Sequence, residues 1–437
     1  MVLKYLSRNS KLYQGSQGNT SSDILIYGEE VELAQPEIEQ DGRIEVKFRG
    51  RTGWIVKEHL STNPVLEIYF IDVGQGDSTF LVTPSRKKIL VDGGENDRAM
   101  RFLAWKYRLE DSAAPQIEID LIVLTHADDD HIAGLVDVIS HPKIRVKKIL
   151  HSGLATHREG VFNSRLGNIV ENSGTKFVAT WHDHLNELDE AKLSTNFRNW
   201  KRAIENDCNT DYSAVDSSTV AVSVGDPNIT IEVLGPRTEL TALVNRKMYR
   251  WFGDHAHTIN GHSVVLKLSY KNISLLLAGD LNEIGEEHLL EDQSLAKKMD
   301  ANVLKAPHHG SHEFSRRWLD AVNPQISTIS SGDDTDHGHP RAVFIGAMGN
   351  ASRQPAYIFS TEIAANFVRL EKNTGDNNNG SSSEAHPSLR ELFKRRLHGM
   401  INVRTDGNTL YAARRVASSY KWEYYVVTKP ASRSKPQ

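Results

Sequence analysis

The sequence predicts an α+β fold, a β sandwich with helices on its outer faces, preceded by a small all-β domain. Three observations predict it. Short apolar runs of strand length recur in both halves of the chain, and several end abruptly in Asp or His. Segments of helical periodicity fall between them. The first 62 residues contain only short β-like runs separated by polar and Gly-rich turns.

In that N-terminal part the runs are 24–27, 30–33, 43–48 and 53–56. The main domain begins near Pro64. Strands are expected at 66–73 and 78–82, joined by Gly74-Gln-Gly-Asp77, whose glycines permit a tight turn. A strand at 88–91 ends in Asp92-Gly-Gly94, and 97–109 has helical periodicity. The buried run 119–124 then opens onto Leu124-Thr-His-Ala-Asp-Asp-Asp-His-Ile-Ala-Gly134, with a helix starting at Ile132. This turn sets His126, Asp128, Asp130 and His131 within six residues. Imidazole and carboxylate together suit Zn²⁺ or Mn²⁺, whereas oxygen alone suits Mg²⁺ or Ca²⁺.

Residues 141–216 are expected to form an insertion or lid, with a strand at 147–151 and helices at 161–172 and 193–206. Their histidines lie outside any ligand-dense turn. A second strand series follows at 220–224, 229–234, 263–268 and 274–278, the last running into Gly279-Asp280. After a helix at 281–290, the strand 301–306 ends in Pro307-His-His-Gly-Ser311. A helix at 315–322 and a strand at 325–330 lead to a loop, Asp336-His-Gly-His-Pro340. Strands ending in Asp or His in both halves imply a pseudo-twofold sandwich with its site along one edge. Residues 371–387 read as a polar loop, 390–396 as a basic helix, and 400–405 with 409–413 as a hairpin around Asp406-Gly407.

The 437 residues suffice for two or three domains, or one large core and a small module. Apolar and charged contents of 39% and 25% are those of a soluble globular protein. A net charge of −4 excludes a uniformly basic nucleic-acid binder. From Ser388 onward, however, 11 Lys/Arg face 3 Asp/Glu, an asymmetry that suggests a polyanionic partner. Tyr411, Tyr420, Trp422, Tyr424 and Tyr425 stand among Arg414, Arg415 and Lys421 there, a mixture suited to base stacking and phosphate contact, or to a solvated edge strand. Cys208 is the one cysteine, no apolar run is long enough for a membrane helix, and the first residues lack a signal-peptide core. These features lead us to expect a cytoplasmic protein without membrane contact.

The motifs resemble the metallo-β-lactamase fold, whose ligand turn reads His-x-His-x-Asp-His. This chain has His126-x-Asp128-x-Asp130-His131, with Asp in place of the second His. Ile71-Asp-Val-Gly-Gln-Gly-Asp-Ser78, Val91-Asp-Gly-Gly94, Leu276-Leu-Ala-Gly-Asp280, Leu304-Lys-Ala-Pro-His-His-Gly-Ser311 and Gly338-His-Pro340 resemble the hydrolase domain of ComEC-like competence proteins. Gly50-Arg-Thr-Gly-Trp-Ile-Val56, followed by Glu58-His-Leu-Ser61, resembles bacterial SH3-like domains, which implies a peptide or protein partner.

The resemblance implies an αββα sandwich carrying two divalent ions, Zn²⁺ or Mn²⁺, and a phosphodiester of nucleic acid as the leading substrate. By that resemblance His126 and Asp128, with His262 as third ligand, hold one ion. Asp130, His131 and His309 hold the other, and Asp280 bridges them. His339 or His308 supplies a proton to the leaving group. Asp72, Asp77 and Asp92 orient the ligand imidazoles, or simply form turns. Asp128 adds a harder ligand, shifting preference towards Mn²⁺. The alternatives are hydrolysis of a small ester, lactone or cyclic nucleotide on the same metals, and a scaffold with a decayed site. A long groove lined by Arg and Lys favours nucleic acid; a pocket closed by residues 141–216 favours a small substrate.

Overall fold

The structure, a computed structural model, describes residues 2–179, 181–206, 210–240, 247–332, 338–362, 399–415 and 422–428. The expected loop at 371–387, the basic helix at 390–396, Asp336, His337, Cys208, Tyr420 and Lys421 lie outside the described residues.

Two sheets face each other. One has nine strands in the order Asp211–Ala214, Lys148–His151, Leu121–Leu124, Lys88–Val91, Thr79–Val82, Leu66–Phe70, Ile401–Thr405, Thr409–Arg415 and Trp422–Thr428. The other has six, in the order Ile229–Gly235, Val265–Tyr270, Ile273–Leu277, Val303–Lys305, Ile326–Ile329 and Tyr357–Ser360. Phe70, Leu81, Val91 and Val123 from the first meet Val233, Leu266, Leu275 and Val303 from the second in one buried core. The helices Arg98–Tyr107, Asp129–Ile139 and Thr195–Asn206 cover the outer face of the first sheet through Phe102, Leu135 and Trp200. The helices Glu283–Leu290, Arg316–Val322 and Ala342–Ala351 cover the second through Leu289, Trp318 and Phe344. Because both faces are covered, strands such as Leu121–Leu124 are buried along their whole length.

Residues before 62 form an antiparallel sheet of eight strands around their own core of Leu6, Leu12, Val31, Ile44, Val46 and Ile55. Arg43–Phe48 alternates buried and solvent-facing residues, as a strand covered on one face must. The strand expected at 24–27 instead runs from Ser21 to Leu25. Its polar first half looked like a turn because it is exposed and held by pairing with Ser10–Tyr13 rather than by burial.

Buried charge joins this sheet to the sandwich. Arg404 is fully buried and donates to Tyr27 O at 2.6 Å, Glu29 Oε1 at 2.9 Å and Tyr69 Oη at 3.0 Å. Lys106 Nζ donates to Glu67 Oε2 at 3.0 Å, and the Tyr69 hydroxyl bonds the same carboxylate. Burial works against ionised Glu67, yet Lys106 and Arg404 hold its carboxyl down to about 2. On the surface beside them, Arg49 stacks 3.8 Å over Trp105.

Two further expected elements differ. The helix expected at 161–172 is replaced by a hairpin, Ile169–Asn172 with Thr175–Val178. Ser173 and Gly174 form its two-residue turn, both at positive φ (51° and 80°), which suits a hairpin and not a helix. The run 220–224 makes only a single bridge, Val222 to Ile231, and Val220 is 88% exposed. Residues 141–216 otherwise extend the nine-stranded sheet and its helical cover.

Two outcomes test this frame. Arg404→Ala should cost about 3–5 kcal/mol in urea unfolding, because Glu29 and Glu67 then lose a buried cation. A loss below about 1 kcal/mol, the scale of an exposed pair, would remove the network from the account. The depressed Glu67 carboxyl stabilises the fold above its ordinary value of 4.5, and that stability is lost as pH falls to about 2. Between those limits wild type should therefore lose stability more steeply than Glu67→Gln.

Candidate metal centre

The site lies where strands of both sheets end. Lys88–Val91 ends at Asp92, Leu121–Leu124 at Thr125 and His126, Ile273–Leu277 before Asp280, and Val303–Lys305 before His308 and His309. Each of these strands runs parallel to a neighbour, so their C-terminal ends open onto one edge. Asp128 is extended (φ −76°, ψ 153°) and starts the helix Asp129–Ile139, which places Asp130 in its electropositive first turn. The Gly74–Asp77 turn presses on this one: a Cβ on Gly76, at φ 94°, would lie 1.8 Å from Asp130 O. His308 and His309 both sit in the left-handed region, at φ 46° and 51°. Such backbone is uncommon outside glycine and collects at functional sites.

These turns bring Asp130, His131, Asp280 and His309 together, with one ligand atom from each lying within 4.8 Å of the others. His309 Nε2 is 3.0 Å from Asp280 Oδ2 and 3.6 Å from Asp130 Oδ2. His131 Nε2 is 3.3 Å from Asp280 Oδ1 and 3.9 Å from Asp130 Oδ1. The His126 ring centroid lies 4.1 Å from that of His131, and His126 Nε2 is 3.8 Å from Asp128 Oδ2.

The opposite edges of the rings are occupied. His131 Nδ1 is 3.0 Å from Asp92 Oδ2, and Asp92 also accepts from Thr125 N at 2.8 Å and Thr125 Oγ1 at 2.7 Å. His309 Nδ1 is 3.1 Å from Ser330 O and 3.3 Å from Asp77 Oδ1, and Asp77 is in turn bonded by buried Lys305. His126 Nδ1 faces Thr125 Oγ1 at 3.1 Å and Ser263 Oγ at 3.4 Å. With Nδ1 engaged behind, each imidazole turns Nε2 to the cluster.

The cluster fits a cation. His126 Nε2, His131 Nε2, His309 Nε2 and Asp280 Oδ1 are buried, and none makes a well-formed hydrogen bond. Buried polar atoms left so are rare, and several converging on one point suit an ion. Burial opposes charge on His131 and His309, yet the surrounding carboxylates, Asp280 foremost, raise both well above the ordinary histidine value. Burial likewise opposes ionised Asp280, but His309 and His131 hold it well below the carboxylate range. Burial, then Asp130, pushes the Asp128 carboxyl up to about 7. Burial, then His131, brings His126 down to about 3. The raised His131 and His309 and the depressed Asp280 are the response of close-set acids and bases to one another, whereas burial dominates at Asp128 and His126.

Two expected residues stand elsewhere. His262 was the candidate third ligand, but it ends the helix His255–Gly261 with Nε2 2.8 Å from Arg250 O. Its ring is stacked on Phe252 at 4.5 Å and tilted over Tyr249 at 4.4 Å. Its neighbour Ser263 reaches His126 instead. Asp72 was expected to orient a ligand imidazole, but its Oδ1 is 3.3 Å from Arg98 Nη1 and accepts from Gly74 N at 3.3 Å. Burial and then Glu362 raise its carboxyl to about 7.

Sequence reasoning missed Thr125, Ser263, Lys305 and Gln75, whose Nε2 donates to Asp130 Oδ2 at 2.9 Å. Lys305 carried a signal, a charge inside an apolar strand. The others carried none beyond proximity to a motif.

Beside the cluster is a pocket of about 290 Å³, at the small end of the ligand-site range. Asp128, Asp130, Asp280, His308, His309 and His339 line it together with Gln75, Ala256, His257, Asn260, Asn282 and Glu313. No Lys or Arg and no residue of 141–216 is among these. Burial keeps His308 below its ordinary value.

A family model described as the metallo-beta-lactamase superfamily matches residues 71–332. The chain is 23% identical over 287 residues to ComE operon protein 3 of Bacillus subtilis (strain 168), covering 63% of this chain and 29% of that protein. It is 37% identical over 82 residues to competence protein ComA of Neisseria gonorrhoeae, covering 18% of this chain and 12% of that one. It thus spans less than a third of the length of these curated relatives. A long form RNase Z from yeast superposes with a TM-score of 0.35 at 11% identity, covering 63% of this chain and 39% of that structure.

If Asp92 fixes the His131 ring for a cation, Asp92→Asn should weaken Zn²⁺ or Mn²⁺ binding about 10–100-fold in calorimetric titration. Unchanged affinity would show that the ring needs no such support.

Proposed function

The chain belongs to the metallo-beta-lactamase superfamily, and from that premise we propose that it is a metal-dependent phosphodiesterase, a nuclease acting on DNA or RNA. The observation that carries this is the convergence of the Nε2 atoms of His131 and His309 with Asp130 and Asp280 beside an open pocket, next to the buried and unbonded Nε2 of His126. Asp130, His131 and His309 would hold one ion, His126 and Asp128 a second, with Asp280 between them. Bound there, two such ions lower the pKa of a water and neutralise phosphoryl charge. Gln75 keeps the Asp130 carboxylate aimed inward, while Asp92 and Asp77 keep His131 and His309 turned to the cluster. His308 and His339 line the same pocket and would stand near the leaving oxygen. Asp128 in place of a second His favours Mn²⁺ over Zn²⁺.

A second reading, hydrolysis of a small phosphodiester, ester or lactone, is favoured by the absence of Lys and Arg among the described lining residues. The N-terminal sheet is proposed as an SH3-like module that holds a peptide or protein partner. Its groove of about 310 Å³ lies between Glu32, Gln35, Glu45 and Thr52.

Labelled DNA, labelled RNA and a nitrophenyl phosphodiester, each incubated with Mn²⁺ or Zn²⁺, separate these readings. We expect cleavage of a nucleic acid, with a loss of at least about 100-fold in Asp280→Asn, more than a supporting residue costs. Cleavage that survives this substitution would mean that the chemistry lies elsewhere; cleavage of the small ester alone would favour the second reading.

A further inference from the structure

The pocket has a wall that the cluster does not use. It is formed by the helix His255–Gly261, which carries His257 and Asn260, together with Asn282 and Glu313. The His257 ring is 38% exposed, whereas those of His126, His131 and His309 are buried. Asp254, just before the helix, grips His257 twice. Its Oδ1 accepts from His257 N at 2.8 Å, and its Oδ2 lies 2.7 Å from Nδ1. That second contact fixes the ring with Nδ1–H towards Asp254 and Nε2 away from it.

Nε2 lies 3.5 Å from Glu313 Oε1, the limit of hydrogen-bond reach, so a closer acceptor would displace that contact. Asn282 donates to His257 O at 2.9 Å. Asn282 is two residues beyond Asp280, so the same turn that positions the Asp280 carboxylate also positions this histidine.

We propose that His257, rather than His308 or His339 of the same pocket, is a catalytic residue, the proton donor to the leaving oxygen, with Asp254 as its positioning residue. The role rests on the phosphodiesterase reading above. As the oxygen of water bonds to phosphorus, the P–O bond to the leaving group breaks and its electron pair goes to the leaving oxygen. That oxygen takes the proton from Nε2 and departs as an alcohol. The proton shed by the attacking water passes to solvent, and solvent returns one to the imidazole, so the sum is addition of water across the bond.

The charged groups that face His257 agree with this role. Asp254, from the preceding turn, and Glu313, from the segment after His309, are both carboxylates, while Asn282 from the third side is neutral. The hydrogen bond to Asp254, with Glu313 in support and against the effect of partial burial, raises the imidazole above its ordinary 6.5, the direction a proton donor needs.

Leaving-group dependence tests the proposal. A nitrophenolate departs without a proton, whereas the alkoxide of a dinucleoside phosphate needs one. His257→Gln and wild type are compared on bis(4-nitrophenyl) phosphate and on a dinucleoside phosphate in Mn²⁺. The variant should lose about 10²–10⁴-fold on the dinucleoside phosphate and at least about 100 times less on the nitrophenyl ester. In wild type the rate on the dinucleoside phosphate should fall as pH rises through the His257 pKa, and the variant should lack that limb. In metal-free protein, NMR of the imidazoles should show His257 titrating above 6.5 and moving down in Asp254→Asn.

Equal losses on both substrates would assign His257 a structural role and overturn the proposal, as would titration at or below 6.5. If wild type cleaves both substrates and His257→Gln matches it, this role alone falls. If wild type cleaves neither with any divalent ion, the phosphodiesterase reading falls and this role with it.

Discussion

Negative charge held out of water organises this molecule. Asp77, Asp92 and Asp280 are almost wholly buried at one edge of the sandwich, with Asp130 beside them. Carboxylates in such a place must find cations, strong donors or protons. Asp77 has Lys305, Asp92 has Thr125 and His131, and Asp280 has the Nε2 edges of His131 and His309. The last of these arrangements leaves nitrogen lone pairs and a carboxylate oxygen aimed at a common point. A metal ion would complete it where protons satisfy it only in part. The surrounding core, packed on both faces of both sheets, holds the groups at these distances beside the open pocket.

The fold meets this demand with strand ends. A parallel strand buried on both sides carries few charged residues along its length, so most gather where it stops. Four strands from two sheets stop at the same edge: three lead into members of the cluster, and the fourth, Lys88–Val91, ends at Asp92, which holds His131 from behind. The tight turns that follow are specialised to match. Gly76 lets one turn lie against the backbone of Asp130, and the successive left-handed residues His308 and His309 bring both imidazoles to the pocket and His309 into the cluster.

Away from that edge a second buried charge group, centred on Arg404, fastens the N-terminal sheet to the sandwich. Arg404 comes from a late strand that pairs with Leu66–Phe70, so the C-terminal strands both complete the nine-stranded sheet and hold the N-terminal one. The two networks differ in kind. Around Arg404 cations and carboxylates are matched within the chain; at the strand ends they are matched only when positive charge is added.

The sequence by itself determined the chemical types and their order along the chain. The turn from His126 to His131, the Asp after Ala278-Gly279 and the His pair after Pro307 were legible because each follows an apolar run that can only be a buried strand. It also carried the sandwich, through strand-length runs in both halves. Only the tertiary structure decided membership. His262 looked as eligible as His309, but its ring stacks on Phe252 while Ser263 turns to His126. Asp72 looked like Asp92, but Arg98 takes it. The hairpin at 169–178 replaced a helix because two residues at positive φ override the apolar spacing around them. The reason is the same in each case. Residue type and spacing along a strand fix what a side chain is able to do, whereas its partner is set by distance through space, where neighbours far along the chain compete for it.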